Sequence, residues 1–348
     1  MDASAAAERV KARARAAGFD LAGVARLQPA ATHPAYLRWL ARGDHGPMEW
    51  IERHADLRAD PRSLLPGARS ALVVALRYAP LGGAGEPPDG PLWPRVARYA
   101  RGVDYHDLMR SRLREVADFV ALTWPGTRSR VCVDTAPLLE RELAVRAGLG
   151  AIGKNTNLLH PEAGSWLLLG ELLLTLDLPA DAPIADLCGD CCRCLDACPT
   201  DALPEPWRLD ASRCISYWTI EHRGPVPDEM ATALTSWVFG CDRCQEVCPW
   251  NGRPGAADHP ELSVPEHRRR LDLVDLLTQT EEEYRERFRG SAMKRARHEG
   301  LRRNAAHALA GERDPRSREA LGRAAESDPS PVVRDAARRA AARRESGV

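Results

Sequence analysis

The sequence predicts an α/β (α+β) domain, an embedded ferredoxin-like domain with two iron–sulfur clusters, and a C-terminal helical region of HEAT-like repeats. Three observations predict this. Short apolar runs alternate with helical stretches as far as residue 178. Nine of the ten cysteines fall between Cys188 and Cys248. Beyond residue 255 the chain becomes helical, charged and rich in alanine. The boundaries read as 1–178, 179–255 and 256–348.

With 348 residues, 44% of them hydrophobic, the chain can bury a sizeable core in two or three domains. No apolar run reaches about 18 residues, so no membrane-spanning helix is expected. Met1 to Val10 lacks the basic start and continuous apolar stretch of a signal peptide, and a twin-arginine leader is absent. A cytoplasmic protein with reduced thiols is expected. The formal net charge of +0 hides an asymmetry. Ser291–Val348 holds 14 Lys and Arg against 8 Asp and Glu, leaving the tail at +6 and the body at −6. Such a tail fits either an anionic partner or a solvated arginine-rich helical face.

In the first domain, Ser4–Ala17 is rich in helix formers and Gly18 ends it. Phe19–Val24 reads as a strand. Helical stretches follow near Tyr36–Ala41 and Pro47–His54, then a loop from Asp56 to Pro61. Ser70–Tyr78 is a short apolar strand between Pro66-Gly67 and Pro80. Gly82–Pro94 reads as a flexible loop. Arg98–His106 combines charge, aromatics and a glycine ahead of a helix over Asp107–Leu122. Its apolar stripe is Leu108, Leu113, Val116, Phe119 and Val120. Ser129–Val133 is a strand with Val131 and Val133 on one face, Cys132 and Asp134 on the other. A helix is expected from Pro137 to Ala147, so Asp134 sits either at a ligand-binding strand end or in a helix cap. Gly148–Gly153 matches G-x-G-x-x-G, yet it follows a helix and leads into a turn and a strand, the wrong context for a dinucleotide site. Ser165–Thr175 is a further strand, and Pro179–Ile184 a linker.

Cys188, Cys191, Cys194 and Cys198-Pro199 form C-x2-C-x2-C-x3-C-P, the run that holds iron–sulfur clusters in bacterial ferredoxins. An incomplete second run, Cys241, Cys244 and Cys248-Pro249, is completed by Cys214. Structural zinc favours paired C-x2-C motifs, and disulfides need an oxidising compartment. In two-cluster ferredoxins the last cysteine of each run serves the other cluster. Cys188, Cys191, Cys194 and Cys248 therefore go to cluster 1, and Cys198, Cys214, Cys241 and Cys244 to cluster 2. Cys192 reads as a spectator and Cys132 as a core residue. Two clusters conduct single electrons, and the long remainder of the chain favours an oxidoreductase over a plain carrier. In the tail, Leu301–Ala310 resembles Val332–Ala341. This reads as a HEAT-like repeat that must pack on the body, or as two unrelated helices.

Arg98–His106, Val133–Arg141, Gly153–Asn157, Gly164–Trp166 and Lys294–Arg297 with Leu301–Asn304 together resemble the epoxyqueuosine reductase family. The match covers nearly the whole chain in order, and the displaced Cys214 also fits. The resemblance implies an enzyme using cobalamin, cob(II)alamin at rest, and two 4Fe-4S clusters. It would convert epoxyqueuosine to queuosine at the wobble position of tRNAs with GUN anticodons (Tyr, His, Asp and Asn acceptors). That is the last step of queuosine biosynthesis. It implies an external electron donor, no membrane, and a monomer whose first domain binds cobalamin and substrate. Asp134 matches the proton donor to the departing epoxide oxygen, with a pKa tuned by burial beside the cofactor. Arg58, Tyr99, Asp134, Asn155, Asn157 and Ser165 are expected to bind cobalamin. Asp104 and His106 are expected at the substrate base, and Lys294, Arg295, Arg297, Arg302 and Arg303 at tRNA phosphates. The residues between Cys214 and Cys241 are expected to shape the contact between cluster 2 and cobalamin. The alternative is a corrinoid iron–sulfur reductase acting on a small molecule such as an organohalide, which the basic C-terminus disfavours.

Overall fold

The computed structural model describes residues 2–78, 92–252, 259–269 and 271–346. Most of the loop expected over 82–94, and Pro254-Gly255, lie outside the described residues. The first domain is built on four strands: β1 (Leu21–Arg26), β2 (Ser70–Arg77), β3 (Ser129–Cys132) and β4 (Leu167–Leu174). Their order is β1-β2-β4-β3, and every neighbouring pair is antiparallel. The arrangement is thus the α+β form of the expected class, without parallel crossover units. β2 and β4 read as near-continuous apolar runs because helices cover both sheet faces.

The pleat sends alternate side chains to those two faces. Leu72, Val74 and Leu76 meet Val10 of α1 (Ala3–Ala16) and Met109, Leu113 and Val116 of α2 (Tyr105–Thr123). Ala71, Val73 and Ala75 meet Leu143 and Ala144 of α3 (Glu140–Arg146). α3 starts at Glu140, later than the expected Pro137, because 134–139 forms an irregular turn. The glycines of Gly148–Gly153 lead into a hairpin, Ala151–Ile152 against Leu158–Leu159. At Gly150 (φ +154) a Cβ would lie 2.2 Å from the Leu159 carbonyl oxygen, so only glycine fits.

The cysteine-rich segment carries short helices at Arg193–Asp196 and Arg243–Glu246. Between Cys214 and Cys241 the chain forms a helical turn (Tyr217–Glu221), a helix (Asp228–Leu234) and a strand (Trp237–Phe239). That strand runs parallel to Arg95–Val96, just ahead of Tyr99. The tail is α4 (Arg297–Leu309), α5 (Pro315–Ser327) and α6 (Pro331–Ser346). The two similar segments fall in α4 and α6, which pack together. Leu301, Ala305, Leu309, Val333 and Ala337 share one core with Val96, Val238 and Phe239, so the tail leans on the body. No helix among the described residues is long and apolar enough to cross a membrane.

Candidate active site

All ten cysteines are unpaired. Cys188, Cys191, Cys194 and Cys248 line one pocket, walled further by Lys154, Asn155, Leu159 and Trp250. Lys154 donates its backbone N–H to Cys188 Sγ at 3.4 Å and its ammonium to Cys192 Sγ at 3.6 Å. Cys214 lies near Cys198, Cys241 and Cys244. Burial pushes up the Cys214 thiol, aided by Cys198, and the Cys244 thiol, aided by Cys214 and Cys241.

Asp134 follows β3 in the left-handed region (φ +55), a conformation costing an L-residue about 1–2 kcal/mol. Its backbone N–H donates to Glu140 Oε1 at 2.7 Å, which holds the turn. α3 begins six residues later with no side-chain cap, so Asp134 does not cap it. The Asp134 side chain is 57% exposed, and its Oδ2 lies 3.1 Å from His106 Nε2. His106 Nδ1 lies 2.6 Å from Asp104 Oδ1, which also accepts the His106 backbone N–H and caps α2. Burial alone would lower the His106 imidazole, but the two carboxylates raise it to about 9. It is therefore charged at neutral pH. Tyr105 stacks on His106 with centroids 4.1 Å apart, and Tyr99 meets Tyr105 edge-on at 6.2 Å. Burial and then Asp134 push the Tyr99 phenol up, so it stays a donor. Behind Asp134, burial and then the Asp134 charge push the Glu140 carboxyl upward.

Both His106 ring nitrogens contact carboxylates, and the Asp104 oxygen Oδ1 is taken up by His106. Asn155 and Ser165 are buried and join the hairpin region to the cysteine-rich segment. Asn155 donates to the Cys244 carbonyl at 3.3 Å, and Ser165 Oγ accepts from Gln245 and Asn251 at 3.0 and 2.9 Å. Arg302 and Arg303 do not face outward, because α4 is enclosed by its neighbours. Arg302 donates to the Leu277 carbonyl and pairs with Asp328, while Arg303, 1% exposed, donates to the carbonyls of Trp218, His222 and Gly224.

Other expected residues stay accessible. Lys294, Arg295 and Arg297 are exposed. Arg295 pairs with Glu221 at 2.8 Å, lies 5.6 Å over the Trp50 ring, and its charge senses Asp134 and Tyr99. Asn157 and Arg58 are half-buried, the latter over the Tyr36 ring and donating to the Ile51 carbonyl at 3.1 Å. Glu140, Glu171 and Lys154 go unnoticed in the sequence reading. Glu171 has a visible signal, a lone carboxylate inside Leu167–Leu174.

Residues 187–251 match a family model described as a 4Fe-4S double cluster binding domain, so the chain carries a domain for two iron–sulfur clusters. Residues 58–135 match the model described as Epoxyqueuosine reductase QueG, DUF1730. An epoxyqueuosine reductase from Xanthomonas campestris pv. campestris is 41% identical over 316 residues, covering 88% of this chain and 87% of that one. The chain belongs to the epoxyqueuosine reductase family. The Escherichia coli epoxyqueuosine reductase is 38% identical, covering 89% of this chain and 82% of its own. A solved epoxyqueuosine reductase with a tRNA-Tyr epoxyqueuosine-modified stem loop superposes at a TM-score of 0.90 and 32% identity. The match covers 98% of this chain and 91% of that one. The Bacillus subtilis epoxyqueuosine reductase superposes at a TM-score of 0.84 and 31% identity, covering 97% of this chain and 89% of its own. In that structure the aspartate-bearing catalytic loop is swung out of the active site.

Proposed function

We propose that this chain reduces the epoxide of epoxyqueuosine at the wobble position of GUN-anticodon tRNAs, giving queuosine. The observation that carries the reading is the Asp134 turn, held between Glu140 and a charged His106 in a chain that bears a double-cluster domain. Converting an epoxide to an alkene takes up two electrons and two protons and releases the oxygen as water. In this reading Cys188, Cys191, Cys194 and Cys248 ligate one 4Fe-4S cluster, and Cys198, Cys214, Cys241 and Cys244 the other. The convergence of Cys188, Cys191, Cys194 and Cys248 on one pocket suits such a cluster.

Cobalamin, when bound, supplies the low-potential metal centre that delivers electrons to the epoxide. The residues present fit a broad, flat group. Leu37, Trp50 and Leu57 are large apolar side chains left exposed on the segment before Arg58, and Trp50 adjoins Arg295, whose charge reaches the Asp134 site. Arg58, Tyr99 and Asn157 would hold it. His106 gives a proton across the Nε2–Oδ2 contact to Asp134, which passes it to the departing oxygen, and the second proton comes from solvent. Lys294, Arg295 and Arg297 meet tRNA phosphates, and the tail repeats, read as HEAT-like, brace them. An external donor supplies electrons to what we read as a monomeric, cytoplasmic enzyme. The solved relative bound to a modified stem loop supports tRNA over an organohalide as substrate.

The test is turnover. Protein reconstituted with iron, sulfide and cobalamin, given a chemical reductant and an epoxyqueuosine stem loop, should yield queuosine by mass spectrometry. Conversion of an organohalide but not of the stem loop would overturn the reading.

A further inference from the structure

The sheet hides a carboxylate that the proposed reaction does not use. Glu171 interrupts the apolar run of β4 on the face shared with Leu169 and Leu173, directly across the ladder from Cys132. It is fully buried, and neither oxygen meets an N–H donor among the described residues. Its polar contact is the carboxyl of Glu140. The charged and titratable groups around this pair are few. Asp134, Arg141 and His106 lie about Glu140, Asp134 and Cys132 lie about Glu171, and Arg130 of β3 lies beside Cys132.

An ionised carboxylate with no donor is costly to bury, and two touching carboxyls cannot both be ionised. Glu140 has a donor, the Asp134 N–H, and two nearby cations; Glu171 has neither. The proton therefore belongs on Glu171.

We propose that Glu171 is a neutral acid whose O–H donates to Glu140, aiming the Glu140 carboxylate at the Asp134 N–H and so latching the catalytic turn. Glu171 is then a positioning residue two contacts removed from the reacting proton. Burial raises its pKa in the direction this needs, with the Glu140 charge adding to it. The inference rests on the reading of Asp134 as the proton donor.

Two variants and one spectrum test it. Glu171→Gln keeps a neutral donor at the same length, so the reconstituted holoenzyme should hold its kcat within about twofold, since only lost positioning is costly. Glu171→Leu removes the donor at similar volume. Its kcat should fall about 10- to 100-fold, because a displaced acid costs rate, while KM for the stem loop stays put. Infrared difference spectra of wild type against Glu171→Gln should show the carbonyl stretch of a protonated carboxylic acid at neutral pH, with or without cofactors. The spectrum needs no turnover, so it separates this proposal from a failure of Asp134 as the acid. Absence of that band, wild-type kcat in Glu171→Leu, or an equal fall in both variants would each overturn the proposal.

Discussion

The cysteine-rich segment and the Asp134 turn are encoded in opposite ways. Seven of the eight assigned cysteines sit in two runs whose spacing marks them as ligands in the sequence itself. The Asp134 site draws on α2, the β3–α3 turn, β4 and the start of the tail, and its parts touch only after the sheet has formed. The first region is a local wrap around an inorganic group. The second is a set of charges whose protonation depends on neighbours distant in sequence. Substitutions in the first should therefore remove a cofactor outright, and those in the second should change rates and pH profiles while leaving the fold in place.

The largest effect should come from the local wrap. Cys194→Ser should lose one cluster and all turnover, with bound iron falling by about half if two four-iron clusters are present. Iron analysis and electron paramagnetic resonance check this. Asp134→Asn should keep both clusters and stem-loop affinity yet lower kcat about 10²- to 10⁴-fold, the range of a missing general acid. If it lowered iron content as well, the two regions would not be separable.

The arginines of the tail sharpen the contrast. Arg303→Ala strips donors from three part-buried carbonyls and should cost about 2–3 kcal/mol of stability in denaturant titrations, without changing the salt dependence of tRNA binding. Arg295→Ala should do the reverse, lowering the slope of log affinity against log salt by about 0.7 for a single-stranded loop.

The smallest effect concerns His106. Its folded pKa, raised to about 9, lies above the unfolded value of about 6.5. The stabilisation is then complete below about pH 6.5 and is lost as pH rises toward 9. Wild type should lose stability relative to His106→Gln across that window in pH-dependent melts. A constant difference would show that the Asp104–His106–Asp134 chain is not charged as described.

Much of the cysteine-rich segment was legible because ligand spacing is a local property. So were the strands Ser70–Arg77 and Leu167–Leu174, whose apolar runs are bounded by turn residues. What was not legible depended on packing. Arg302 and Arg303 look like Lys294 and Arg295 in sequence, yet Leu277 and Asp328 hold Arg302 and the residues between Cys214 and Cys241 enclose Arg303. The helix expected at Pro137 hid an irregular turn, and with it the left-handed Asp134. Nothing in the sequence around His106 shows that α2 and the β3 end place it between two carboxylates. Ser165 and Asn155 resemble loop residues in sequence, but the cysteine-rich segment docks on them.

The most direct test is nucleoside analysis of tRNA from a strain lacking this gene. The deletion should accumulate epoxyqueuosine. The wild-type gene should restore queuosine, and the Asp134→Asn gene should leave epoxyqueuosine in place. Normal queuosine in the deletion strain, or full restoration by Asp134→Asn, would contradict the role assigned to this chain and its site.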